Sequence, residues 1–582
     1  MPKHIEVFDV ETIVVNSRLT PYSICYTDND KYIYTIIENK EHFLLNLILN
    51  NFKDNTIYYA HNLLFDFTFI FKSILDLKVE YNWLFLNYQL YEVVIITPNK
   101  KITLRCSVKL IPISLKKFYP SVSSIKKLFF PYEVLEEWCP EKKTNLFIGI
   151  EEKYHNMSIE EYLKIYCIND CAILLDGLNN FYKVLTDNKI FYKNDKFTSG
   201  SIALAYYIKN WNKISFNINS EAKTAIRKSY YGGRCEVFGN PLPERKILYF
   251  NFKEIYKQCM VESLPYDDFT YLNDKKLLNI KIPGFYNITI NYDTDLPLLP
   301  ERFTNVYFKT GNVSGWFWHE EVEFCLNNFK INSFVIHEGY ISNKNGAVLS
   351  EFINELHKVG EKNSTNEQIV NILINSLHTR LLLKDDLYNI IISDKQSVSK
   401  NCDKYGNFFI TKREKFKITK SNVAISSAIS SKVRIKLYQA YLDIINSGGR
   451  LLYSDTDGIF AEYKYEVTVE NKLIGKYVFF DTNKPNTVIK DAVFIDLKSY
   501  ALLLQNNDEF IKIDGTVITS PSFNEIKKIF FSNPHKKLVV DSFPTFKNDF
   551  TTESTSQRRI IDLHKYNRRV WSQDFYYTKP LN

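Results

Sequence analysis

Two aspartates that are one residue apart have the spacing of a cation site. Asp455 and Asp457 lie in the segment Leu-Tyr-Ser-Asp-Thr-Asp-Gly-Ile-Phe, with apolar residues on both sides. In a strand, residues i and i+2 point to the same face, and a tight turn between two strands would place both at its tip. Either arrangement crowds two carboxylates together, which is costly unless cations neutralise them. A β-turn with a solvated aspartate pair is the simpler alternative.

Three further pairs of polar residues in the N-terminal part are also spaced for chemistry. One pair follows a short apolar strand, and in each of the other two the members are four positions apart, on one face of a helix. The pairs are Asp9 with Glu11, Asn62 with Asp66, and Tyr166 with Asp170. Taken singly, each pair is weak evidence, so its meaning depends on the order of all three along the chain.

The composition indicates a folded protein of several domains. The chain has 582 residues, of which 45% are hydrophobic and 15% aromatic, enough for more than one core. Its net charge of +8 is compatible with a polyanionic partner. Nine cysteines without metal-binding spacing predict free thiols in a reducing compartment. No apolar run could span a membrane, and no signal or transit segment is recognisable at the N-terminus, so we expect the protein to be made where it acts.

The motifs, taken in order, resemble those of family B DNA polymerases of the protein-primed branch, found in phages, adenoviruses and linear organellar plasmids. The three N-terminal pairs resemble the exonuclease motifs Asp-x-Glu, Asn-x-x-x-Asp and Tyr-x-x-x-Asp, and the Asp455 segment resembles the palm motif, with Gly458 where Ser is usual. The resemblance implies an α/β and α+β multidomain fold: a ribonuclease H-like 3′–5′ exonuclease domain, then a right-hand polymerase (palm, fingers, thumb) with two protein-priming insertions.

The resemblance also divides the chain into seven segments. They are an exonuclease domain (1–190), a first palm part (191–260), a first insertion (261–349), fingers (350–383), a second insertion (384–416), a second palm part (417–510) and a thumb (511–582). Strand-like runs are expected at 293–300 and 312–319 within the first insertion. In the thumb, Arg558, Arg559, Arg568 and Arg569 suit contacts with a duplex backbone, or form a solvated face.

For the exonuclease half, the resemblance implies a complete catalytic set. Two divalent ions, Mg²⁺ or Mn²⁺, would lie roughly 4 Å apart. Their ligands would be Asp9, Glu11, Asp66 and Asp170. Tyr166 would orient the attacking water, and Asn62 would hold the single-stranded 3′ end.

For the polymerase half, the resemblance implies two more Mg²⁺ or Mn²⁺ ions at Asp455 and Asp457, and one family ligand is altered. Asn251 stands where the family has a metal-binding Asp, and Glu254 stands where it has Ser. An amide offers an oxygen but no charge, so it binds Mg²⁺ less well than a carboxylate. Tyr256 occupies the position of the gate that excludes a ribose 2′-hydroxyl.

Further contacts with nucleotide and DNA follow from the same resemblance. On the fingers helix Asn375 matches the family, whereas Asn371 replaces the triphosphate-binding Lys; Lys358 and Lys362 would contact phosphates or form a solvated face. The DNA contacts would come from the Tyr-x-Gly-Gly and Lys-x-Tyr motifs. Those residues are Tyr230, Tyr231, Gly232, Gly233, Lys498 and Tyr500.

The function implied is that of a monomeric DNA-directed DNA polymerase with a 3′–5′ proofreading exonuclease, which replicates a linear DNA element. Its substrates would be primer-template DNA and dNTPs, and a terminal protein would serve as primer. A mitochondrion, or another compartment that holds a linear plasmid or viral genome, is the expected location. The alternative is a polymerase-deficient relative that retains exonuclease activity or DNA binding, because Asn251 and Asn371 each remove a charge.

Overall fold

The structure of the chain is a computed structural model. The described residues are 5–16, 18–135, 138–190, 196–252, 254–384, 387–393, 403–406, 408–416, 420–464, 477–478, 488–518, 520–532, 537–541, 550 and 558–582. Parts of the predicted second insertion and thumb, and the side chains of Arg558 and Arg559, therefore lie outside the description. Within the described residues, no helix combines the length and the apolar character needed to cross a membrane.

Helices are interspersed among runs of strands along the described chain. The strands of the first half are β1 (Ile5–Val15), β2 (Arg18–Asp28), β3 (Lys31–Ile36), β4 (Thr56–Ala60), β5 (Glu80–Leu86), β6 (Gln89–Thr97), β7 (Lys100–Cys106), β8 (Cys235–Val237), β9 (Lys246–Phe252), β10 (Leu264–Leu272) and β11 (Gly284–Asp293). The next strands are β12 (Pro300–Arg302), β13 (Val306–Phe308), β14 (Gly311–Trp318), β15 (Lys330–Gly346), β16 (Leu387–Ser393), β17 (Lys404–Tyr405), β18 (Phe408–Phe416), β19 (Arg450–Asp455) and β20 (Gly458–Tyr463). The last are β21 (Tyr477–Val478), β22 (Ile489–Asp496), β23 (Ser499–Leu504), β24 (Glu509–Ile513), β25 (Thr516–Ile518), β26 (Leu538–Asp541), β27 (Arg558–Ile561), β28 (Arg569–Trp571) and β29 (Thr578–Pro580).

The helices vary from single turns to a helix of 29 residues. They are α1 (Phe43–Asn51), α2 (Leu63–Asp76), α3 (Phe118–Ser121), α4 (Ile159–Asp187), α5 (Ser199–Asn210), α6 (Ser220–Lys228), α7 (Ile255–Met260), α8 (His319–Asn328), α9 (Ser350–Gly360), α10 (Ser364–Leu382), α11 (Val423–Asn446) and α12 (Phe523–Ser532). Short 3-10 turns lie at Ser107–Lys109, Leu115–Lys117, Tyr132–Leu135, Thr144–Leu146 and Glu152–Tyr154.

The chain divides into two compact units. The first contains Met1–Asn212, Asn354–Thr419 and Phe543–Gln557, and the second contains Lys213–Ile353, Lys420–Ser542 and Arg558–Asn582. Each unit is built from stretches that are distant in sequence. The structure divides the chain into these two units only. The seven segments inferred from the resemblance therefore stay predictions.

The first unit is built on a ten-stranded sheet in the order β17-β18-β16-β5-β6-β7-β4-β1-β2-β3. β4 pairs in parallel with both β1 and β7, and β1 pairs antiparallel with β2. Helix α4 contacts β1 and β2. Its first turn is fixed by a capping box in which Ser158 and Glu161 bond each other's backbone N–H groups. This packing places α4 beside the strand that carries Asp9 and Glu11.

The second unit contains a nine-stranded sheet, with β25-β24-β23-β22-β9-β20-β19-β8 as its main order and β21 paired to β9. A separate four-stranded antiparallel sheet has the order β10-β15-β11-β14. The strand predicted at 312–319 is confirmed as β14. The strand predicted at 293–300 is wrong, because β11 ends at Asp293 and β12 begins only at Pro300. Leu298 and Leu299 are fully buried in the loop between these strands. The segment is therefore apolar because the loop is buried, and not because it forms a strand.

Candidate functional site

The first unit brings the N-terminal acids together. Asp9 and Glu11 lie two residues apart on β1, and the backbone N–H of Val10 between them donates a 3.0 Å hydrogen bond to Asp66 Oδ1. Asp66 is in the first turn of α2 and only 1% exposed, and Asp170 on α4 is 6% exposed. Strand β1 and helices α2 and α4 therefore carry four carboxyl groups that lie near one another.

The electrostatics show that these carboxyl groups act on one another. Burial, and then the charge of Asp170, raises the pKa of Asp9 from 3.8 to about 7. Burial, followed by the charges of Asp9 and Asp170, raises the pKa of Glu11 well above its usual range. The pKa of Asp66 is raised by burial and by Asp9. Ionising all four together is therefore unfavourable unless cations enter the cluster.

The donor set fits divalent cations. Carboxylate oxygens are the ligands that Mg²⁺ and Mn²⁺ prefer. Asp170 Oδ1 is buried and has no hydrogen-bond partner, an arrangement that is costly for a polar atom without a ligand. The cluster thus has the charge, and at Asp170 the unsatisfied oxygen, that a bound cation would compensate.

Lys127 is a member of this cluster that the motif spacing did not reveal. Its Nζ forms an ion pair with Asp170 Oδ2 and lies 4.5 Å from the centroid of the Tyr166 ring. Tyr166 shares a 2.6 Å hydrogen bond between its hydroxyl and that of Tyr132. Burial, then the charges of Asp170 and Glu11, raises the pKa of Tyr166, so its hydroxyl stays protonated. A lysine directly before the apolar run Leu128-Phe129-Phe130 was the available sequence signal.

Asn62 immediately precedes α2, the helix that carries Asp66. It precedes α2 with a left-handed backbone (φ 73°), and its exposed side chain does not cap the helix. Seven other described asparagines, Asn16 and Asn29 among them, also have a positive φ, so the conformation alone is not diagnostic. The exposed amide of Asn62 is available to a ligand that enters from solvent.

The second unit carries the Asp455 and Asp457 pair at the tip of a hairpin. Strands β19 and β20 pair so that Asp455 faces Gly458, and the N–H of Asp457 donates a 2.7 Å hydrogen bond to the carbonyl of Asp455. The intervening Thr456 has φ 63°. Of the two arrangements that the sequence left open, the turn is therefore correct. Burial, then the charge of Asp455, raises the pKa of Asp457.

Asn251 is adjacent to this turn. It lies on β9 opposite Gly458, and the N–H of its neighbour Phe252 donates a 2.8 Å hydrogen bond to the carbonyl of Asp457. Asn251 Nδ2 lies 3.3 Å from the Tyr249 hydroxyl. Asn251 therefore lies beside the turn that carries Asp455 and Asp457, where it presents an amide and no charge.

Glu254 does not replace the missing carboxylate. Its side chain forms a 3.1 Å ion pair with Lys257. Among the described residues, Asp455 and Asp457 belong to no group of three acidic, histidine or cysteine side chains whose ligand atoms lie within 4.8 Å of one another. This hairpin therefore offers a cation two charged ligands.

The Tyr-x-Gly-Gly segment packs directly on the hairpin. The N–H of Thr456 donates a 2.8 Å hydrogen bond to the carbonyl of Arg234. A Cβ on Gly233 would lie 2.8 Å from Thr456 Cγ2, so a glycine is needed for this approach. Arg434 Nη1 donates a 2.8 Å hydrogen bond to the Gly232 carbonyl. The segment therefore supports the turn that presents both aspartates.

Aromatic residues of two motifs lie near the same turn. Tyr231 stacks on Phe317, with ring centroids 5.5 Å apart. The pKa of Tyr256 is raised to about 12 by burial and then by Tyr230, with a smaller effect of Asp457. The structure thus brings Tyr256 and Tyr230 close to the hairpin that the sequence predicted them to serve.

The Lys-x-Tyr motif packs against Tyr453 in the first strand of the hairpin. The N–H of Lys498 donates a 2.8 Å hydrogen bond to the Tyr453 hydroxyl, and the Tyr500 and Tyr453 ring centroids are 5.5 Å apart. Burial, then the charge of Asp455, raises the pKa of Tyr500 to about 12. Tyr500 is only 8% exposed. Its ring therefore packs against the hairpin and has little contact with solvent.

The fingers residues lie in the first unit. Asn371 is half-buried and Asn375 exposed on α10, and the neighbouring Ser376 Oγ is 2.8 Å from Ser199 Oγ on α5. Lys362 Nζ donates a 2.6 Å hydrogen bond to Asn188 Oδ1, while the side chain of Lys358 is 74% exposed. Nucleotide binding by these residues stays a prediction.

One basic residue of the predicted thumb is internal. Arg569 is 5% exposed, and its Nη1 lies 3.1 Å from Glu236 Oε1. A buried guanidinium paired with a buried carboxylate holds β28 to β8. The expectation that Arg569 contacts a duplex backbone is therefore wrong.

Comparison with known proteins identifies the family of the chain. Residues 48–448 match the family described as DNA polymerase type B, organellar and viral. A probable DNA polymerase of Podospora anserina is 23% identical over 560 residues, which cover 83% of this chain and 45% of that protein. One of Neurospora intermedia is 27% identical over 487 residues, covering 72% of this chain and 48% of that protein. The chain spans about half the length of these curated relatives.

A solved structure shares the fold. Phi29 DNA polymerase, complexed with primer-template DNA and incoming nucleotide substrates, superposes with a TM-score of 0.69 at 16% identity. The match covers 96% of this chain and 99% of that one. The predicted fold class, an exonuclease domain followed by palm, fingers and thumb, is confirmed.

Proposed function

The chain belongs to the organellar and viral type B DNA polymerases, and from this membership we propose that it hydrolyses DNA from the 3′ end as a 3′–5′ exonuclease. The observation that supports this most directly is the mutual pKa elevation among the acids of the first unit. Buried acids that raise one another's pKa are typical of two-cation phosphodiester chemistry. All the acids that this chemistry requires are present.

The chain's own residues have separable roles in this proposal. Bound at Asp9, Glu11, Asp66 and Asp170, two Mg²⁺ or Mn²⁺ ions would activate the attacking water and stabilise the leaving 3′ oxygen. The protonated hydroxyl of Tyr166, oriented by Tyr132, hydrogen-bonds that water. Lys127 neutralises part of the charge at Asp170. Asn62, which is exposed and immediately precedes α2, contacts the single-stranded end.

A second candidate function, template-directed DNA synthesis, is favoured by the hairpin of the second unit. Asp455 and Asp457 are presented at a turn that the Tyr-x-Gly-Gly and Lys-x-Tyr motifs support. Nucleotidyl transfer needs ligands that neutralise two cations and the triphosphate. Asn251 removes one ligand charge, and Asn371 removes a cation from the fingers helix. We therefore propose that synthesis is slow compared with hydrolysis.

The biological setting follows from the family and belongs to this proposal. Primer-template DNA and dNTPs are the substrates, by analogy with the ligands of the Phi29 DNA polymerase complex. A terminal protein provides the priming hydroxyl, and the protein acts as a monomer on a linear element in a mitochondrion or a similar compartment.

The test uses a 5′-labelled primer annealed to a template, with Mg²⁺, in the presence and absence of dNTPs. Wild-type protein is expected to shorten the primer in both conditions, and Asp9→Ala to abolish shortening. Glu141→Gln, which changes an exposed acid of the same unit, is the control and should shorten at the wild-type rate. Shortening that survives in Asp9→Ala, or that is absent in the wild type, would overturn the proposal.

A further inference from the structure

A cavity lies beside the Tyr-x-Gly-Gly segment of the second unit. Its volume is about 300 Å³, and Tyr231, Gly233 and Cys235 form part of its wall. Cys235 belongs to β8 and pairs with Asp455 of β19. The cavity therefore adjoins the strand that is hydrogen-bonded to the aspartate hairpin.

Two arginines from segments far apart in sequence line this cavity. Arg302 Nη2 donates a hydrogen bond to the carbonyl of Tyr230, and its guanidinium carbon lies 5.0 Å from the centroid of the Tyr231 ring. Arg568 Nη1 donates a 2.8 Å hydrogen bond to the carbonyl of Val306. A guanidinium carries several N–H donors, and each of these hydrogen bonds uses one of them. Both side chains are therefore anchored and keep donors for a ligand.

These two guanidinium groups differ from those of other arginines of the second unit in their lack of an acidic partner. Elsewhere in the unit, arginines form ion pairs with glutamates: Arg234 and Arg569 with Glu236, Arg434 with Glu321, and Arg450 with Glu462. Among the described residues, neither Arg302 nor Arg568 takes part in an ion pair, and Glu301, the neighbour of Arg302, pairs with Lys309 at 2.7 Å. Two positive charges at one cavity without a counter-charge repel each other and favour a bound anion.

The rest of the lining favours a phosphate over other anions. Thr304 and Asn305 are exposed at the cavity and add a hydroxyl and an amide to the two guanidinium groups. The planar fork of guanidinium N–H donors matches the oxygens of a phosphate group. The volume is at the lower end of the range for ligand pockets, about 300–1,000 Å³. A small anionic group therefore suits the cavity better than a segment of a folded partner does.

We propose that Arg302 and Arg568 together bind one phosphate group of the DNA backbone in this cavity. Arg302 lies in the segment 261–349, which the resemblance assigns to a terminal protein, so this segment gains a DNA contact that the motifs did not indicate. Because β8 pairs with the strand of Asp455, a phosphate held here fixes the DNA relative to the aspartate hairpin. The inference rests on the proposed use of DNA as substrate and does not depend on catalysis.

The first experiment measures DNA binding without catalysis. A fluorescently labelled primer-template is titrated with protein in EDTA, and the dissociation constant is obtained from anisotropy at several salt concentrations. Arg302→Met and Arg568→Met should each weaken binding roughly tenfold and lower the slope of log affinity against log salt by about 1. Lys281→Met removes an exposed charge of the same segment and is the control that should change neither quantity.

The double variant tests whether both arginines hold the same phosphate. Arg302→Met combined with Arg568→Met should lower the salt slope by about 1 in total, because a single phosphate contact is lost. A loss of about 2 would show two separate contacts and overturn the inference. Arg302→Lys should keep the wild-type slope but bind less tightly, since an ammonium lacks the planar fork. Near-ultraviolet circular dichroism verifies folding, and Arg568→Lys replaces the methionine variant if that variant does not fold.

The second experiment identifies the source of the phosphate. Uncharged methylphosphonates are placed singly along each strand of the primer-template. At one position the substitution should weaken binding by the wild type roughly tenfold and leave binding by Arg302→Met and Arg568→Met unchanged. In a parallel arm, inorganic phosphate is titrated into DNA-free protein by calorimetry. Phosphate binding that both variants lose, without any such position in the DNA, would show that the cavity holds free phosphate and would overturn the inference.

The outcomes separate this inference from the proposed function. If the wild type binds the primer-template and both variants bind it equally well, the inference alone fails. If the wild type does not bind DNA, the proposed function fails together with the inference.

Discussion

Replacing Asp9 by asparagine is expected to stabilise the metal-free protein at neutral and alkaline pH while it abolishes exonuclease activity. Burial and the charge of Asp170 raise the pKa of Asp9 from 3.8 to about 7. Between these pH values the folded protein binds a proton that the unfolded chain has released, so stability falls as pH rises. Asparagine binds no such proton and places no charge in the cluster.

The size of the effect depends on pH in a defined way. Near the ordinary pKa of 3.8 the folded wild type holds a neutral Asp9, and both proteins should have similar stability. The difference then grows and is complete above pH 7. Its full value is about 4 kcal/mol, from about 1.4 kcal/mol for each pH unit between 3.8 and about 7. Rearrangement of the neighbouring carboxylates makes this figure an upper bound.

The assay is urea unfolding in EDTA at several pH values between about 5 and 8, followed by circular dichroism. Glu141→Gln is the control, because it removes an exposed acid of the same unit. Added Mg²⁺ should stabilise the wild type more than Asp9→Asn, since the cation binds the folded site. A difference that is independent of pH, or a variant less stable than wild type above about pH 7, would refute the reasoning.

Three further predictions concern other parts of the chain. Asn251→Asp, tested in an Asp9→Ala background, should raise primer extension about tenfold or more, because a third carboxylate strengthens cation binding beside the hairpin. Lys127→Met should move the acidic limb of the exonuclease pH–rate profile to higher pH, because Lys127 lowers the pKa of Asp170. Arg434→Met should lower the free energy of unfolding by about 3–5 kcal/mol in urea titrations, since it leaves Glu321 buried and unpaired.

Each of these predictions has a matched control in the chain. Asn217→Asp adds a charge at an exposed asparagine and should not raise extension. Lys126→Met changes the exposed neighbour of Lys127 and should leave the pH profile in place. Lys436→Met removes a partly exposed ion pair with Glu262 and should cost less than about 1 kcal/mol. Equal effects of a variant and its control would contradict the corresponding prediction.

The order of the motifs along the sequence was sufficient to name most of the candidate ligands. Asp9, Glu11, Asp66 and Asp170 are the ligands that the resemblance of three spaced pairs to the family motifs implies, and the structure shows that their carboxyl groups act on one another. The four-residue spacing of Tyr166 and Asp170 likewise indicated a helix, which the structure shows as Ile159–Asp187. These signals are local: side-chain period and capping depend on residues within one or two turns.

Contacts between distant segments were decided only by the tertiary structure. Lys127 meets Asp170 across 43 positions, and Cys167 meets Asp9 across 158. The fold likewise turned Arg569 inward to Glu236, against the expectation of a DNA contact, and placed Asn251 opposite Gly458. Among the described residues, no third acidic side chain joins Asp455 and Asp457 in a cation-sized group.

The sequence by itself therefore determined which residues can do chemistry, because motif spacing is a short-range property of the chain. The tertiary structure decided which groups accompany them, because the partner of a side chain is chosen by the packing of sheets and helices that are far apart in sequence. The neighbours of Lys127, Cys167 and Asn251 were therefore known only from the packing.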